Sequence, residues 1–330
     1  MNHAKFACSI AYVVSALTIA FGFPYAKAQS YPSKPLRFYV VYVAGGATDI
    51  VARVIASRLA DRLGQPVLTE NRSSAGGILG VTLIAQSAPD GYSLGLGTSG
   101  SLTINPALQP NLPYYPPRDL APITMAAKLP LVLTANPSFP ANNLRELIAL
   151  AKQKPGQLSF GAGGGTGGGM HLAGVLLNRT ANIDLLAVPY KGSAQAVSDL
   201  MGGQIPLGII DLTSTLSAIR SGKLKALGIL SLARSQIAPE IPTLAESGLP
   251  GFTAESWMGI IGPAHLPPEI VSRLNADIVA ILKSADTHNK LLGAGAEPSP
   301  SSPEEFGAVI RSEIARWSKL VKEANIKVDF

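Results

Sequence analysis

From residue 36 the chain alternates short β-branched runs with stretches whose apolar residues recur every three to four positions. These are the rhythms of strand and helix. Phe38 to Val43 predicts a strand, Ile50 to Leu63 a helix stopped by Gly64, and Val67 to Glu70 the next strand. In that helix Val51, Val54, Ile55 and Leu59 separate from Arg58 and Arg62, so one face turns to a core. Gly76-Gly77 then open a helix with Leu79, Leu83 and Ile84 on one face, and Pro89-Asp90-Gly91 turns into the strand Tyr92 to Leu96. This order predicts a parallel α/β half whose post-strand loops share one edge, where ligands bind in such sheets.

A Pro-rich passage, Pro106 to Pro122, precedes a second series of the same kind. Strands are expected at Leu131 to Thr134, Leu158 to Phe160, Leu185 to Val188, Leu207 to Ile210 and Ala226 to Leu230. Helices are expected at Asn143 to Lys154, Met170 to Leu177, Ala194 to Met201 and Thr213 to Ser221. After the Pro/Gly-rich stretch Pro239 to Gly251 come the apolar run Trp257 to Gly262 and two helical patterns from Pro268 and Pro303. If Ile123 to Thr134 and Glu255 to Gly262 both cross between halves, the C-terminal helices return to the first lobe and the two crossings form a hinge. The expected division is residues 29–127 with 258–330 as lobe one and 128–257 as lobe two.

Two glycine-rich loops stand between a strand pattern and a helix pattern, one in each half. The first is Ala44-Gly45-Gly46-Ala47-Thr48-Asp49 and the second runs from Gly161 to Gly169. Free backbone N–H groups and the helix dipole favour an anion at such a position. Thr48 and Asp49 also suit helix capping. Thr98 and Ser99 add short hydroxyls beyond the third strand, and Gly163, Gly165 and Thr166 lie in the second loop. His171 starts the following helix, where it caps locally or donates to a bound carboxylate. Tyr190 follows one strand and Asp211 ends another, both on the ligand edge.

The first residues have the form of an export signal: Lys5, the apolar run Ala7 to Phe23, and Ala26-Lys27-Ala28 as a small-x-small cleavage pattern. Cleavage after Ala28 is expected, giving a soluble periplasmic protein. It would remove Cys8, the one cysteine, and with it any disulfide, thiol nucleophile or thiolate ligand. The 330 residues exceed what one core usually supports. The formal charge of +6 falls by two with Lys5 and Lys27, a modest balance that steers acidic small molecules. No basic run is interleaved with aromatics, so no nucleic-acid partner is expected.

Reaction chemistry is sparse. Beyond Ala28 the histidines are His171, His265 and His288, far apart and without metal-ligand spacing, so no metal site is read. Gly95-Leu96-Gly97-Thr98-Ser99-Gly100 and Gly163 to Gly168 match G-x-G-x-x-G, but neither leads into a βαβ unit with an acidic ribose ligand. There is no Gly-x-Ser-x-Gly elbow and no Walker lysine. No catalytic residue and no cofactor are assigned.

Several short motifs, in order along the chain, carry a resemblance. They include Tyr31-Pro32-Ser33-Lys34-Pro35, Ala44-Gly45-Gly46-x-x-Asp49, Glu70-Asn71-Arg72, Ala88-Pro89-Asp90-Gly91-Tyr92, His171-Leu172-Ala173-Gly174, Val188-Pro189-Tyr190-Lys191-Gly192 and Ile241-Pro242-Thr243. Together they resemble the Bug-type solute receptors of tripartite tricarboxylate transport systems. The resemblance implies a type II periplasmic binding-protein fold, with two α/β lobes and a hinge around a central ligand cleft. It also implies a small carboxylate held without a metal. By that similarity the cleft is lined by Tyr42, Ala44, Gly45, Gly46, Thr48 and Asp49, by Thr98 and Ser99, by the second loop with His171, and by Asp211. The chain departs from the family at Val41 and at Val43 or Ala44, where prolines are usual, and in a longer, more glycine-rich second loop.

The expected function is capture of a carboxylate for the membrane permease subunits of a tripartite tricarboxylate-type transporter, by a monomer. Two alternatives stand beside it: a ligand sensor for a signalling partner, and an exported enzyme acting on a carboxylate or ester.

Overall fold

The structure is a computed structural model that describes residues 31–327, so the expected export segment and its cleavage point lie outside the described residues. The first sheet grows from β1 (Leu36–Val40), with β2 (Val67–Asn71) and β3 (Ser93–Thr98) parallel on either side. β4 (Leu120–Leu129) continues through Pro130 into β5 (Leu131–Ala135), the first strand of a second sheet. That sheet adds β6 (Leu158–Ala162), β7 (Leu185–Pro189), β8 (Leu207–Asp211) and β9 (Lys225–Ile229). The chain returns to the first sheet with β10 (Ser256–Pro263) and the short β11 (Glu297–Pro298).

The strand orders are β11-β4-β10-β3-β1-β2 and β7-β6-β8-β5-β9. In each, three parallel strands are followed by one antiparallel strand, β10 or β5, and then by β4 or β9, with the short β11 added at the edge of the first sheet. The two halves therefore share one topology, and each antiparallel strand belongs to a segment that crosses between them. β4 and β10 pair antiparallel from Leu120 opposite Pro263 to Leu129 opposite Ser256, at the brink of the second sheet. This two-crossing arrangement of α/β lobes is the type II periplasmic binding-protein fold expected from the sequence.

The longer helices are α1 (Ala47–Leu63), α2 (Ile78–Ala85), α3 (Leu144–Gln153), α4 (Gly169–Ala181), α5 (Ser193–Met201), α6 (Leu212–Arg220), α7 (Pro268–Lys283), α8 (Ala285–Gly293) and α9 (Pro303–Glu323). Local chemistry sets their ends. Gly64 stops α1 in the left-handed conformation at φ 65°. Asn143 caps α3 by accepting the Glu146 N–H at 3.0 Å. Pro303 occupies the first turn of α9, after a reciprocal capping box between Ser302 and Glu305.

The core of the first sheet is centred on Trp257 and Phe306, edge to face with centroids 5.4 Å apart. That geometry adds about 0.5–1.5 kcal/mol beyond burial. Gly259 makes it possible, because a Cβ there would fall 2.1 Å from the Phe306 ring. Phe306, Ile310 and Ile314 of α9 lie in this core, but Trp317 and Leu320 of the same helix lie in the core of the second sheet. α9 thus spans both.

Two local expectations need correction. β1 ends at Val40 rather than Val43, because the Tyr42 carbonyl accepts the Asn71 side-chain amide instead of a ladder partner, and Val43 is 65% exposed. In α2 the buried face is Gly80, Val81 and Ile84, while Leu79 is 46% exposed. The reason lies in Gly80, whose missing Cβ lets the helix press against Val41.

Candidate functional site

The first glycine loop is held by a network beneath it. Asp49, at the third position of α1, turns back to accept the Gly45 N–H at 3.0 Å. Its carboxylate also accepts from Arg53 Nε at 3.0 Å and Asn71 Nδ2 at 2.9 Å. Arg53 in turn donates to Thr69 Oγ1 and Asn71 Oδ1, and Asn71 to the Tyr42 carbonyl. The Arg53 hydrogen bond, seconded by those of Gly45 and Asn71, holds the Asp49 carboxyl down at about 2. Gly46 is the N-cap and has no side-chain cap, so Asp49 supports the loop from behind. Gly45 takes φ 86°, open to glycine and costly for other residues. Ala44, Gly45 and Gly46 are exposed.

The second loop repeats the device with another side chain. His171, the third residue of α4, accepts the Gly167 N–H on Nδ1 at 3.0 Å. Burial lowers the imidazole pKa, which favours the neutral form this bond requires and leaves Nε2 as the protonated nitrogen. The loop itself coils through Gly164, Gly165 and Gly167 at φ 84°, 78° and 79°. It is tied to the residue that follows β7, where Gly165 N–H donates to the Tyr190 carbonyl at 2.9 Å. The Tyr190 side chain turns away, donating its hydroxyl to Asp199 of α5 at 2.9 Å. Asp211 caps α6, accepting the Ser214 N–H at 2.8 Å.

Between these loops runs the segment after β3. Thr98 and Ser101 bond reciprocally, Thr98 N–H to Ser101 Oγ at 3.0 Å and Ser101 N–H to Thr98 Oγ1 at 3.3 Å, with the Tyr42 hydroxyl 3.4 Å from Thr98 Oγ1. Burial raises the Tyr42 pKa, so its phenol stays protonated. Thr103 donates to the Ser99 carbonyl at 2.6 Å and fixes a π-helical turn over Gly100–Ile104. The Ser99 hydroxyl has no hydrogen-bond partner among the described residues.

A cavity of about 150 Å³ opens where these parts meet. Ser99 and Ile104 come from the first lobe, and Gly163, Gly164, Gly169 and Met170 from the second. Leu131 and the strip Ala254 to Ser256 come from the two crossing segments, and Trp317 comes from α9. Ile104 and Gly169 nearly meet across it: a Cβ on Gly169 would lie 3.5 Å from Ile104 Cδ1. Gly169 and Met170, which line the cavity, are the first residues of α4, the end of a helix that favours an anion. Lys128 Nζ holds Glu255 at 2.8 and 3.1 Å, joining the crossings. Behind Trp317, Glu313 accepts from Trp257 Nε1 at 3.0 Å and Arg316 at 3.1 Å, and burial pushes its carboxyl upward.

Of the residues read from the sequence, Ser99 and Gly163 line the cavity. Tyr42, Thr98, Asp49, His171 and Gly165 form the layer that fixes the loops around it. Thr48 is buried in the first turn of α1, and Thr166 is exposed on the second loop. The apolar lining, Ile104, Leu131, Met170, Ala254 and Trp317, was not read as site, nor was Glu255. Only the continuation of the α9 stripe from Phe306 through Ile310 and Ile314 to Trp317 hinted that the helix outruns its own lobe.

Comparison with known proteins gives a consistent result. The profile described as "Tripartite tricarboxylate transporter family receptor" matches residues 51–326. Protein BugT of Bordetella pertussis is 39% identical over 302 residues, covering 91% of this chain and 92% of BugT. A Rhodopseudomonas palustris protein solved with adipate is 33% identical with a TM-score of 0.74, covering 90% of this chain and 99% of the other. MatC from the same organism, solved with bound malate, is 32% identical with a TM-score of 0.70, covering 88% and 100%.

Proposed function

The chain belongs to the tripartite tricarboxylate transporter receptor family, and we propose that it is a periplasmic receptor that captures a small carboxylate between its lobes and passes it to the permease of such a transporter. The observation that carries this reading is the cavity shared by Ser99 and Ile104 on one side and Gly163 and Gly169 on the other. A ligand there touches both lobes, so binding energy favours the closed form. The adipate and malate bound to the two solved relatives support a carboxylate as the ligand.

In this reading the lobes are residues 29–127 with 258–330 and residues 128–257, and the hinge is the β4–β5 and β10 crossings. The carboxylate meets the first-turn N–H groups of α4 and the free hydroxyl of Ser99, while Asp49 and His171 keep the two glycine loops in shape. The receptor acts as a monomer, exported by the segment that ends at Ala28. A membership in this receptor family and a site without an activated nucleophile favour binding over turnover.

The test is titration calorimetry of the purified protein with malate, adipate and benzoate, followed by analysis of the recovered acid. The expected result is stoichiometric binding of at least one acid, recovered unchanged. Conversion of the acid, or no binding of any of them, overturns the reading.

A further inference from the structure

The cavity lining is of two kinds. Ser99 and the glycines Gly163, Gly164 and Gly169, at the start of α4, offer groups that suit a carboxylate. Ile104, Leu131, Met170, Ala254 and Trp317 form its apolar wall. Trp317 is 2% exposed and Leu131 3% exposed, so this wall is fixed by packing on the second core.

Among the described residues no arginine, lysine or histidine lines the cavity, and the one charged group there is Glu255, whose carboxylate is engaged by Lys128 at 2.8 and 3.1 Å. A ligand with a second carboxylate would meet a lining that, beyond Ser99, Ser256 and the glycine backbone, offers only apolar side chains and Glu255, and no cation to pair with it. Burying an unpaired carboxylate in such surroundings is strongly unfavourable, and a like charge beside it adds to the penalty. A neutral apolar body instead covers the wall at no electrostatic cost.

Size points the same way. A protein cavity of about 150 Å³ lined by aliphatic and aromatic side chains takes up benzene. The cavity here has that volume and that kind of lining on its apolar side.

We propose, building on the receptor reading above, that the ligand of this cleft is a monocarboxylate with a ring-sized apolar body, an aromatic or alicyclic acid, selected against dicarboxylates by the apolar wall and by Glu255. Trp317 and Met170 contact the ring, and Ser99 with the α4 amides takes the carboxylate.

The experiment is calorimetry on the full-length mature protein with benzoate, cyclohexanecarboxylate, adipate and malate, repeated on Glu255→Gln. In the unaltered protein a ring acid should bind at least about a hundredfold more tightly than either diacid, the scale expected when a second carboxylate is left unpaired. Its binding should carry a negative heat-capacity change from apolar burial. In Glu255→Gln the loss of that charge and the released Lys128 should tighten adipate by about tenfold more than benzoate. Adipate or malate binding as tightly as the ring acids overturns the ligand class but leaves the receptor reading intact. An equal gain or loss for all four acids in Glu255→Gln overturns the role of Glu255 in selection. Failure of all four acids to bind overturns both readings.

Discussion

The Gly45 N–H donates to the Asp49 carboxylate at 3.0 Å, four residues further on. The second lobe has the same four-residue link from Gly167 to His171, also at 3.0 Å. In both, a side chain in the first helical turn secures the glycine loop before it, so the helix N–H groups are presented in a fixed array. One lobe uses a carboxylate that titrates only in acid and the other an imidazole, and the two should respond differently to substitution and to pH.

Asp49→Ala should lower stability by about 1–3 kcal/mol, because the Gly45 N–H and Asn71 amide lose a buried acceptor. The exposed half of Arg53 keeps its own share of that loss small. The Asp49 carboxyl is held at about 2, below its usual 3.8. Its stabilisation is complete above pH 3.8 and is lost as pH falls toward about 2. Thermal melts from pH 5 to pH 2 should therefore show a steeper decline in the native sequence than in the variant, with carboxylate affinity reduced in the variant at neutral pH. Equal slopes would remove Asp49 from the account.

His171 supplies an acceptor only while Nδ1 is unprotonated. Its folded pKa is lowered from 6.5 by burial, so the stabilisation it gives is present above 6.5 and declines as pH falls toward the folded value. Affinity for benzoate should follow the same course between pH 8 and pH 5. His171→Gln, whose amide oxygen can accept the Gly167 N–H, should keep most of the affinity and flatten the profile; His171→Ala should lose affinity at every pH. A profile unchanged in both variants would show that the loop does not depend on this bond.

The cores can be tested at glycines that admit no side chain. A Cβ on Gly174 would lie 2.0 Å from the Phe160 ring, and one on Gly259 2.1 Å from Phe306. Gly174→Ala and Gly259→Ala should each cost about 1–3 kcal/mol or more through overpacking. Gly293→Ala, in α8 with open space around it, should be neutral or stabilising by up to about 1 kcal/mol. Denaturant midpoints measure all three, and a neutral Gly259→Ala would contradict the packing of α9 on the first sheet.

What the sequence made legible was whatever has a period or a punctuation mark. The helix ending at Gly64, the helix near Asn143 and the alternation of strand and helix were all readable from spacing alone. The glycine loops were found because glycine before a helix is a local signal. The apolar wall was invisible, because Ile104, Leu131 and Trp317 obey the same patterns as core residues. Their role arises only from the crossing of β4 into β5 and from α9 reaching past its own lobe. Tyr190 shows the converse: read as a residue of the ligand edge, it holds the second glycine loop through its carbonyl while its side chain serves Asp199.

The central claim is that a carboxylate binds between the lobes, in the cavity bounded by Ile104 and Gly169. Gly169→Leu tests it most directly, because a Cβ there already lies 3.5 Å from Ile104 Cδ1 and the remaining side chain would occupy the space. The measurement is calorimetric titration of the native sequence and of Gly169→Leu with whichever of benzoate, adipate and malate binds the native sequence most tightly, beside melts of both proteins without ligand. The account predicts one-to-one binding to the native sequence, binding at least about tenfold weaker in Gly169→Leu, and a ligand-free melting temperature that does not fall. Equal affinity in the two proteins would contradict it.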